Sequence, residues 1–156
     1  MRVYRFLNEE YALKSIRERQ LKISNILELN DPFEFQAVDI SDKKFRFAIK
    51  STIEEAAKEI GIICFSSKWS NPVLWSHYAD NHRGIFLGFD IPKCSLKEMI
   101  YSSKKNKILP EKIVKVNFFN TSIVVDLFDQ ITRTKYDHWK YESEFRTFNS
   151  LYEKTS

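Results

Sequence analysis

Glycine is scarce in this chain, with only three glycines among 156 residues. Loops that cradle phosphates need several glycines, because a backbone without side chains can approach the phosphate closely. Neither the G-x-G-x-x-G fingerprint nor the P-loop pattern occurs in the sequence. The scarcity disfavours nucleotide-binding classes that hold phosphate in a glycine-rich loop.

Cysteine is also rare, and Cys64 and Cys94 lack the paired spacing of zinc ligands. Cys64 lies in an apolar strand pattern, which predicts a buried free thiol. His77 and His82 are five residues apart, whereas zinc-binding helices place two histidines four apart, so no metal site is predicted.

Long apolar runs are absent, so no segment is predicted to span a membrane. The first four residues lead directly into a strand pattern rather than a signal peptide. The sequence therefore predicts a cytoplasmic protein with no membrane partner.

The composition that remains is that of a globular protein, with 43% hydrophobic, 29% charged and 15% aromatic residues. Its length predicts a single domain over residues 1–156 with a sizeable core. The net charge of +4 permits an anionic ligand, a nucleic acid or an acidic partner without selecting among them.

Hydrophobic periodicity and capping residues predict a mixture of helices and strands. Strands are expected over 3–7, 21–23, 62–65, 85–91 and 113–119, and helices over 9–19, 42–60 and 72–82, with Gly84 in a left-handed conformation after the last helix. Residues 138–148 are expected to form an entry turn and a strand. Because these elements neither alternate strictly nor segregate, we predict an α+β fold with a compact mixed or antiparallel sheet flanked by helices.

The strongest chemical candidate is a pair of carboxylates near the C-terminal end. A strand period of two places Glu142, Glu144 and Arg146 on one face. Two neighbouring carboxylates repel, so one is expected to have a raised pKa or to be held by a cation such as Arg146. The alternative is a half-exposed strand with a surface salt bridge.

A second candidate is the helix predicted over 72–82. Trp75, Tyr78 and His82 lie three and four residues apart and therefore share one side of a helix. These side chains either stack on a planar ring or belong to an amphipathic core with satisfied polar tips.

Several motifs together resemble a widespread bacterial family that is known only as a domain of unknown function. The resemblance covers residues 3–148. Its members usually continue for further strands after the Glu-x-Glu-x-Arg motif, so a short or truncated member is expected. The motifs are Tyr4 to Phe6; Asn30, Asp31, Pro32, Phe33 and Glu34; Cys64 to Ser66; Trp75 to Asp80 with His82 and Gly84; and Trp139 to Arg146.

The order of these motifs is similar to that of a distant ADP-ribosyltransferase. That resemblance implies an ADP-ribosyltransferase-like fold, NAD as the substrate and no metal. The residues it implies for the site are Tyr4 or Arg5 on the first strand, Ser66 on the middle strand, Tyr78 as the aromatic that stacks on nicotinamide, and Glu144 or Glu142 as the catalytic carboxylate. Trp75 and His82 join the proposed NAD-binding set through their shared helix side and are not part of the transferase pattern.

The first functional hypothesis is therefore an NAD-dependent ADP-ribosyltransferase-like enzyme, acting as a toxin or anti-phage defence effector. It would cleave the nicotinamide–ribose bond of a dinucleotide and modify a protein or nucleic acid acceptor. The alternatives are a nucleic-acid-binding or -processing module and a non-catalytic partner-binding domain. The enzyme hypothesis makes a geometric prediction: Tyr78 and Glu144 line one cleft with Arg5.

Overall fold

The computed structural model describes residues 1–29, 43–104 and 128–152, which form an α+β fold with helices packed on a largely antiparallel sheet. The strands are β1 Arg2–Leu7, β2 Ser24–Asn25, β3 Ile60–Ser66, β4 Ile85–Asp90, β5 Lys97–Glu98, β6 Ile100–Ser102, β7 Thr134–Tyr136 and β8 Glu144–Ser150. The α-helices are α1 Glu9–Glu18, α2 Lys43–Glu59 and α3 Pro72–Tyr78; residues 128–133 are also helical, and 3-10 helices span Ile26–Glu28, Lys93–Ser95 and Asp137–Glu142.

The main sheet has the strand order β4-β1-β3-β8-β5, and β2 pairs with β3 as a sixth strand. All of its pairings are antiparallel, whereas β6 and β7 form a separate parallel pair. The junction between β1 and β3 is short, because the register joins only Tyr4 to Ser66. In contrast, β3 and β8 are in register over seven residue pairs. The central sheet is therefore open along most of the border between β1 and β3.

The start of each of the first and third helices follows from its capping residue. The side chain of Asn8 accepts a hydrogen bond from the backbone N–H of Tyr11, and that of Asn71 accepts one from Val73, each at 2.9 Å. These bonds satisfy backbone donors that a helix N-terminus leaves unpaired. Pro72 at the first turn of α3 needs no donor, so both helices begin where the sequence predicts.

The end of α3 differs from the prediction, because the helix stops at Tyr78 rather than His82. Asp80, Asn81 and His82 have positive φ angles of 46°, 53° and 68°, and no described glycine does. Short polar side chains such as Asp and Asn tolerate this left-handed region, so the turn forms before Gly84. Gly84 is needed for space instead, since an added Cβ would lie 2.2 Å from the carbonyl oxygen of Leu7.

The other predicted elements are mostly confirmed within the described ranges. The strand expected over 21–23 is wrong, because pairing with β3 begins at Ser24. The helix expected over 42–60 is present from Lys43 to Glu59, and the strand expected over 113–119 lies outside the described residues. None of the helices in the described ranges is long and apolar enough to cross a membrane.

The two faces of the main sheet carry different cores. On one face, Val3, Ile63, Phe65 and Phe145 pack with Leu96 in a continuous apolar cluster. The opposite face is covered by two separate apolar groups, one around α2 with Ile26 and Ile62, the other around α3 with Phe6 and Leu74. Between these two groups, polar side chains of β3 and β8 occupy the sheet surface.

Candidate functional site

A cavity of about 240 Å³ lies at the open border between β1 and β3. Its walls come from β1, β2, β3, α3, β7 and β8 and from the 3-10 helices Ile26–Glu28 and Asp137–Glu142. The side chains that give it chemical character are those of Tyr4, Arg5, Cys64, Ser66, Tyr78, Lys135, Glu142, Glu144 and Arg146. The geometric prediction is confirmed, because Tyr78, Glu144 and Arg5 line this one cavity.

Glu142 and Glu144 are both buried, with 4% and 5% of their surface exposed. They do not share a strand as predicted: Glu142 ends a 3-10 helix and Glu144 begins β8. Ser143 between them has a left-handed φ of 45°, which breaks the period-two alternation. The alternative of a half-exposed surface salt bridge is also wrong, because all of the charged partners are buried.

Two cations hold the carboxylates. The Nζ of Lys135 lies 2.6 Å from Oε2 of Glu142 and 3.0 Å from Oε2 of Glu144. Arg146, which is 1% exposed, donates from Nε to Oε1 of Glu144 at 2.6 Å and from Nη1 to the carbonyl of Thr132 at 2.9 Å. Among the described residues, the cluster therefore joins two carboxyl groups and two basic side chains in the interior.

Lys135 was not among the residues predicted from the sequence. It lies on β7, outside the main sheet, in the stretch Thr132 to Tyr136, where nothing in the local pattern separates it from an exposed lysine. The available signal was charge balance: two carboxylates predicted to be close require more compensation than Arg146 alone supplies.

The surroundings of the two carboxyl groups move their pKa values in opposite directions. For Glu142, burial and the adjacent charge of Glu144 outweigh Lys135, so its pKa is raised above the usual range. For Glu144, burial acts in the same upward direction, but Arg146 and Lys135 together outweigh it and lower the pKa to about 2. At neutral pH Glu144 is therefore ionised, and Glu142 is the more basic of the two.

Tyr78 and Ser66 fix the position of Glu142. The hydroxyl of Tyr78 donates a hydrogen bond to Oε1 of Glu142, and burial raises the pKa of that phenol well above its usual value. Ser66 Oγ donates to the backbone carbonyl of Glu142 at 2.6 Å. At the neighbouring residue Glu144, the backbone N–H donates a hydrogen bond to the hydroxyl of Tyr101 at 2.8 Å.

Arg5 and Tyr4 form the β1 side of the cavity. The Nη2 of Arg5 donates to the carbonyl of Lys22 at 2.7 Å, whereas its Nη1 is buried and has no hydrogen-bond partner within the described ranges. Burial lowers the pKa of this guanidinium, which nevertheless stays charged. Tyr4 packs edge-on against Phe86. A buried donor without a partner is uncommon in folded proteins and calls for an explanation.

Trp75 and His82 are not at the cavity, although the sequence grouped them with Tyr78. Trp75 packs edge-on against Phe6 and Phe86, and its Nε1 donates to the carbonyl of Trp69 at 2.7 Å. His82 is exposed in the turn after α3, because the helix ends four residues before it. The stacking role predicted for the helix side therefore rests on Tyr78 alone.

The motif residues Asn30, Asp31 and Glu34 lie outside the described residues, so their relation to the cavity stays a prediction. Across residues 1–29, 43–104 and 128–152, no group of three or more His, Cys, Asp or Glu side chains is arranged to hold a metal ion.

Comparisons with known proteins give a match that covers residues 74–147. No curated protein and no solved structure was found to match the chain. One family model, described as "Protein of unknown function (DUF2971)", matches residues 74–147, a little under half of the chain. That segment contains Tyr78, Lys135, Glu142, Glu144 and Arg146. The predicted resemblance to a family of unknown function is therefore confirmed over residues 74–147, which are similar to DUF2971.

Proposed function

We propose that this protein is an NAD-dependent ADP-ribosyltransferase-like enzyme whose cavity receives the nicotinamide–ribose end of NAD. The observation that carries the proposal is convergence. Arg5, Ser66, Tyr78, Glu142 and Glu144 come from five different elements, and all of them line one cavity. A pocket with a few convergent polar groups and perturbed proton affinities is the usual location of an active site.

The proposed reaction breaks the bond between the nicotinamide nitrogen and C1′ of the ribose. The bonding electron pair goes to the nicotinamide ring, which becomes neutral, and positive charge develops on the ribose as an oxocarbenium-like state. An ionised carboxylate near that carbon stabilises the charge where it develops. Glu144 is assigned this role because its pKa is lowered and it stays ionised at neutral pH.

An acceptor then forms a bond to C1′ and loses a proton, which a general base must take. A base works best when its pKa lies near the operating pH. Glu142 is assigned this role, because burial first and the charge of Glu144 second raise its pKa. Unequal carboxylates with different roles are the arrangement that glycosyl-transferring enzymes use.

The cavity fits one end of a dinucleotide rather than the whole molecule. Its volume of about 240 Å³ lies just below the range of roughly 300–1,000 Å³ typical of small-molecule sites. The ring of Tyr78 provides an aromatic surface for nicotinamide. The unpartnered Nη1 of Arg5 provides a charged donor for a phosphate oxygen. The remainder of NAD would extend out of the cavity mouth.

A non-catalytic partner-binding domain is the second candidate, and a specific observation favours it. All four carboxylate oxygens of Glu142 and Glu144 already have a partner inside the protein. Such a network is compatible with a purely structural role. A catalytic carboxylate would have to exchange one of these partners for the substrate. The nucleic-acid alternative rests on the net charge of +4 and stays a prediction.

Nicotinamide release from NAD, with water as the acceptor, tests the proposal. The wild-type protein should release nicotinamide, and Glu144→Gln should reduce the release about 10²–10³-fold while retaining a wild-type circular dichroism spectrum. Glu98→Gln is the matched control, because it removes an exposed carboxylate from the neighbouring strand β5. Absence of both release and calorimetric binding at millimolar NAD would favour the non-catalytic candidate.

A cytoplasmic location, where NAD is available, belongs to the same proposal. So does a role as a toxin or anti-phage effector, because consuming NAD or modifying a host macromolecule harms the cell in which it occurs.

A further inference from the structure

Lys135 occupies an unusual position for a lysine. It is 7% exposed, and it reaches the carboxylates from β7, which belongs to the small parallel pair rather than to the main sheet. The ring of Trp139 covers its ammonium group, with 4.9 Å between Nζ and the ring centroid. A buried ammonium is costly unless it is paired, so its retention here calls for compensating contacts.

Those contacts go to two different segments. The Nζ of Lys135 contacts Glu142 at the end of a 3-10 helix and Glu144 at the start of β8. Because Oε2 of Glu142 and Oε2 of Glu144 lie 2.6 Å and 3.0 Å from the same nitrogen, the two carboxylates are held side by side. Arg146 contacts Glu144 and Thr132 in this cluster, whereas the cation in contact with Glu142, among the described residues, is Lys135.

The chemistry of lysine suits this bridging position. An ammonium directs three donors tetrahedrally from one compact centre, so it can serve two carboxylates that approach from different directions. A guanidinium is a planar fork that matches one carboxylate at a time. Arg146 contacts the Glu144 carboxylate and the Thr132 carbonyl, whereas Lys135 joins the two acids.

We propose that Lys135 is a positioning residue that holds Glu142 beside Glu144 at the cavity and keeps Glu142 able to ionise. Its importance for turnover rests on the proposed function, but its effect on the carboxylates does not. Within the described residues, the other titratable or charged groups around this cluster are Tyr78 on α3, Glu144 and Arg146 on β8, Tyr101 on β6, Cys64 on β3, Tyr4 and Arg5 on β1, and Glu28 at the end of the 3-10 helix Ile26–Glu28. Of these groups, Arg5 and Arg146 are the cations.

The test is a titration of the glutamate side-chain carbons by NMR in protein labelled with carbon-13 glutamate. Glu142→Gln and Glu144→Gln assign the two resonances. Lys135→Met keeps the length of the side chain and removes its charge. Lys97→Met is the control, because it removes an exposed lysine whose backbone is paired with Arg146.

We expect the midpoint of Glu142 to rise by about 1–3 pH units in Lys135→Met, the effect of a cation at this distance, and to stay unchanged in Lys97→Met. The acid limb of nicotinamide release should move upward by the same amount. A Glu142 midpoint that is equal in wild type and Lys135→Met overturns the positioning role, whether or not NAD is turned over. A Glu142 midpoint that is higher in Lys135→Met than in the wild type, in a protein whose wild type never releases nicotinamide, supports the positioning role and rejects the proposed enzyme.

If Lys135→Met does not fold, the wild-type protein decides the question. The nitrogen-15 resonance of the Lys135 ammonium should then shift at the same midpoint as the Glu142 carboxyl carbon. Different midpoints for the Lys135 nitrogen and the Glu142 carboxyl carbon would overturn the proposal.

Discussion

Strands β3 and β8 present two chemically opposite faces along the same backbone. On one face, Phe65 is paired with Phe145 within a wholly apolar cluster. One residue away on each strand, Ser66 is paired with Glu144 and Cys64 with Arg146, and these side chains line the cavity. The backbone hydrogen bonds are shared, so the difference between the two faces lies in the side chains alone.

The two faces differ in what they contribute to the stability of the sheet. Apolar burial stabilises the sheet by about 25 cal/mol for each Å² removed from water. Burying four charges gives no such gain, because desolvation offsets most of their mutual attraction, and well-packed apolar residues often serve equally well. A stable sheet does not require the polar face, which is why we assign function to it.

The largest expected effect follows from removing one charge from the polar face. Arg146→Met should lower the free energy of unfolding by about 3–5 kcal/mol, because Glu144 loses one of its two cations while remaining buried. Urea denaturation measures the loss. The double variant Arg146→Met with Glu144→Gln should recover part of it, and a double variant as unstable as the sum of the single changes would show that the pair is not coupled.

The second effect sharpens the contrast between the faces at adjacent positions. Glu144→Gln should reduce nicotinamide release about 10²–10³-fold, the usual result of removing one group that stabilises transition-state charge. Phe145→Leu, which changes the apolar face, should cost roughly 1–3 kcal/mol of stability and leave the activity of the folded protein near that of wild type. Equal activity losses in the two variants would contradict the division of roles.

The sequence predicts the strands and helix starts well, because the apolar run at 62–65, the alternation over 85–91 and the caps at Asn8 and Asn71 are local signals. It also predicted that Arg5, Tyr78 and Glu144 would meet, although this came from motif order rather than from periodicity. Left-handed backbone was harder to foresee. Three such residues end α3 at Tyr78 and remove His82 from the helix, and Ser143 removes Glu142 from the strand. No glycine marks either place.

Lys135 shows a different limit of sequence reasoning. Its burial depends on β7 approaching the start of β8 from outside the main sheet, a contact with no local sequence pattern. Lysine is usually a surface residue, and here it is buried because it pairs with two buried carboxylates.

The third effect concerns acid stability, where the two carboxylates have opposite signs. The pKa of Glu144 is lowered to about 2 in the folded protein, so its stabilising contribution is present above pH 4.5 and is lost as the pH falls towards 2. Its loss amounts to roughly 3 kcal/mol for a shift of that size. Glu142 has a raised pKa, so its contribution is present at low pH and is lost as the pH rises through that value.

Unfolding free energies measured from pH 2 to pH 7 for the wild type, Glu144→Gln and Glu142→Gln separate these contributions. The fall in stability between pH 4.5 and pH 2 should be smaller in Glu144→Gln than in the wild type. The total fall from pH 7 to pH 2 should be larger in Glu142→Gln. Parallel curves for all three proteins would show that neither carboxylate has a shifted pKa.

The smallest expected effect is that of Tyr78→Phe, which removes one hydrogen bond and keeps the aromatic ring. Glu142 loses a donor, so the variant should be less stable by about 1–3 kcal/mol, and the pKa of Glu142 should rise further. Denaturation and carboxyl titration measure these changes. NAD affinity should change little, because the ring remains; a large loss of affinity would mean that the hydroxyl itself contacts the ligand.

The most direct test of the central claim is a crystal structure of the protein soaked with NAD, or with a non-hydrolysable analogue if turnover is rapid. Our account predicts the nicotinamide ring against the ring of Tyr78, the ribose beside Glu142 and Glu144, and a phosphate oxygen on Nη1 of Arg5. Density for NAD at another surface, or an empty cavity at millimolar NAD, would contradict the account and leave the carboxylate network as a structural feature of the fold.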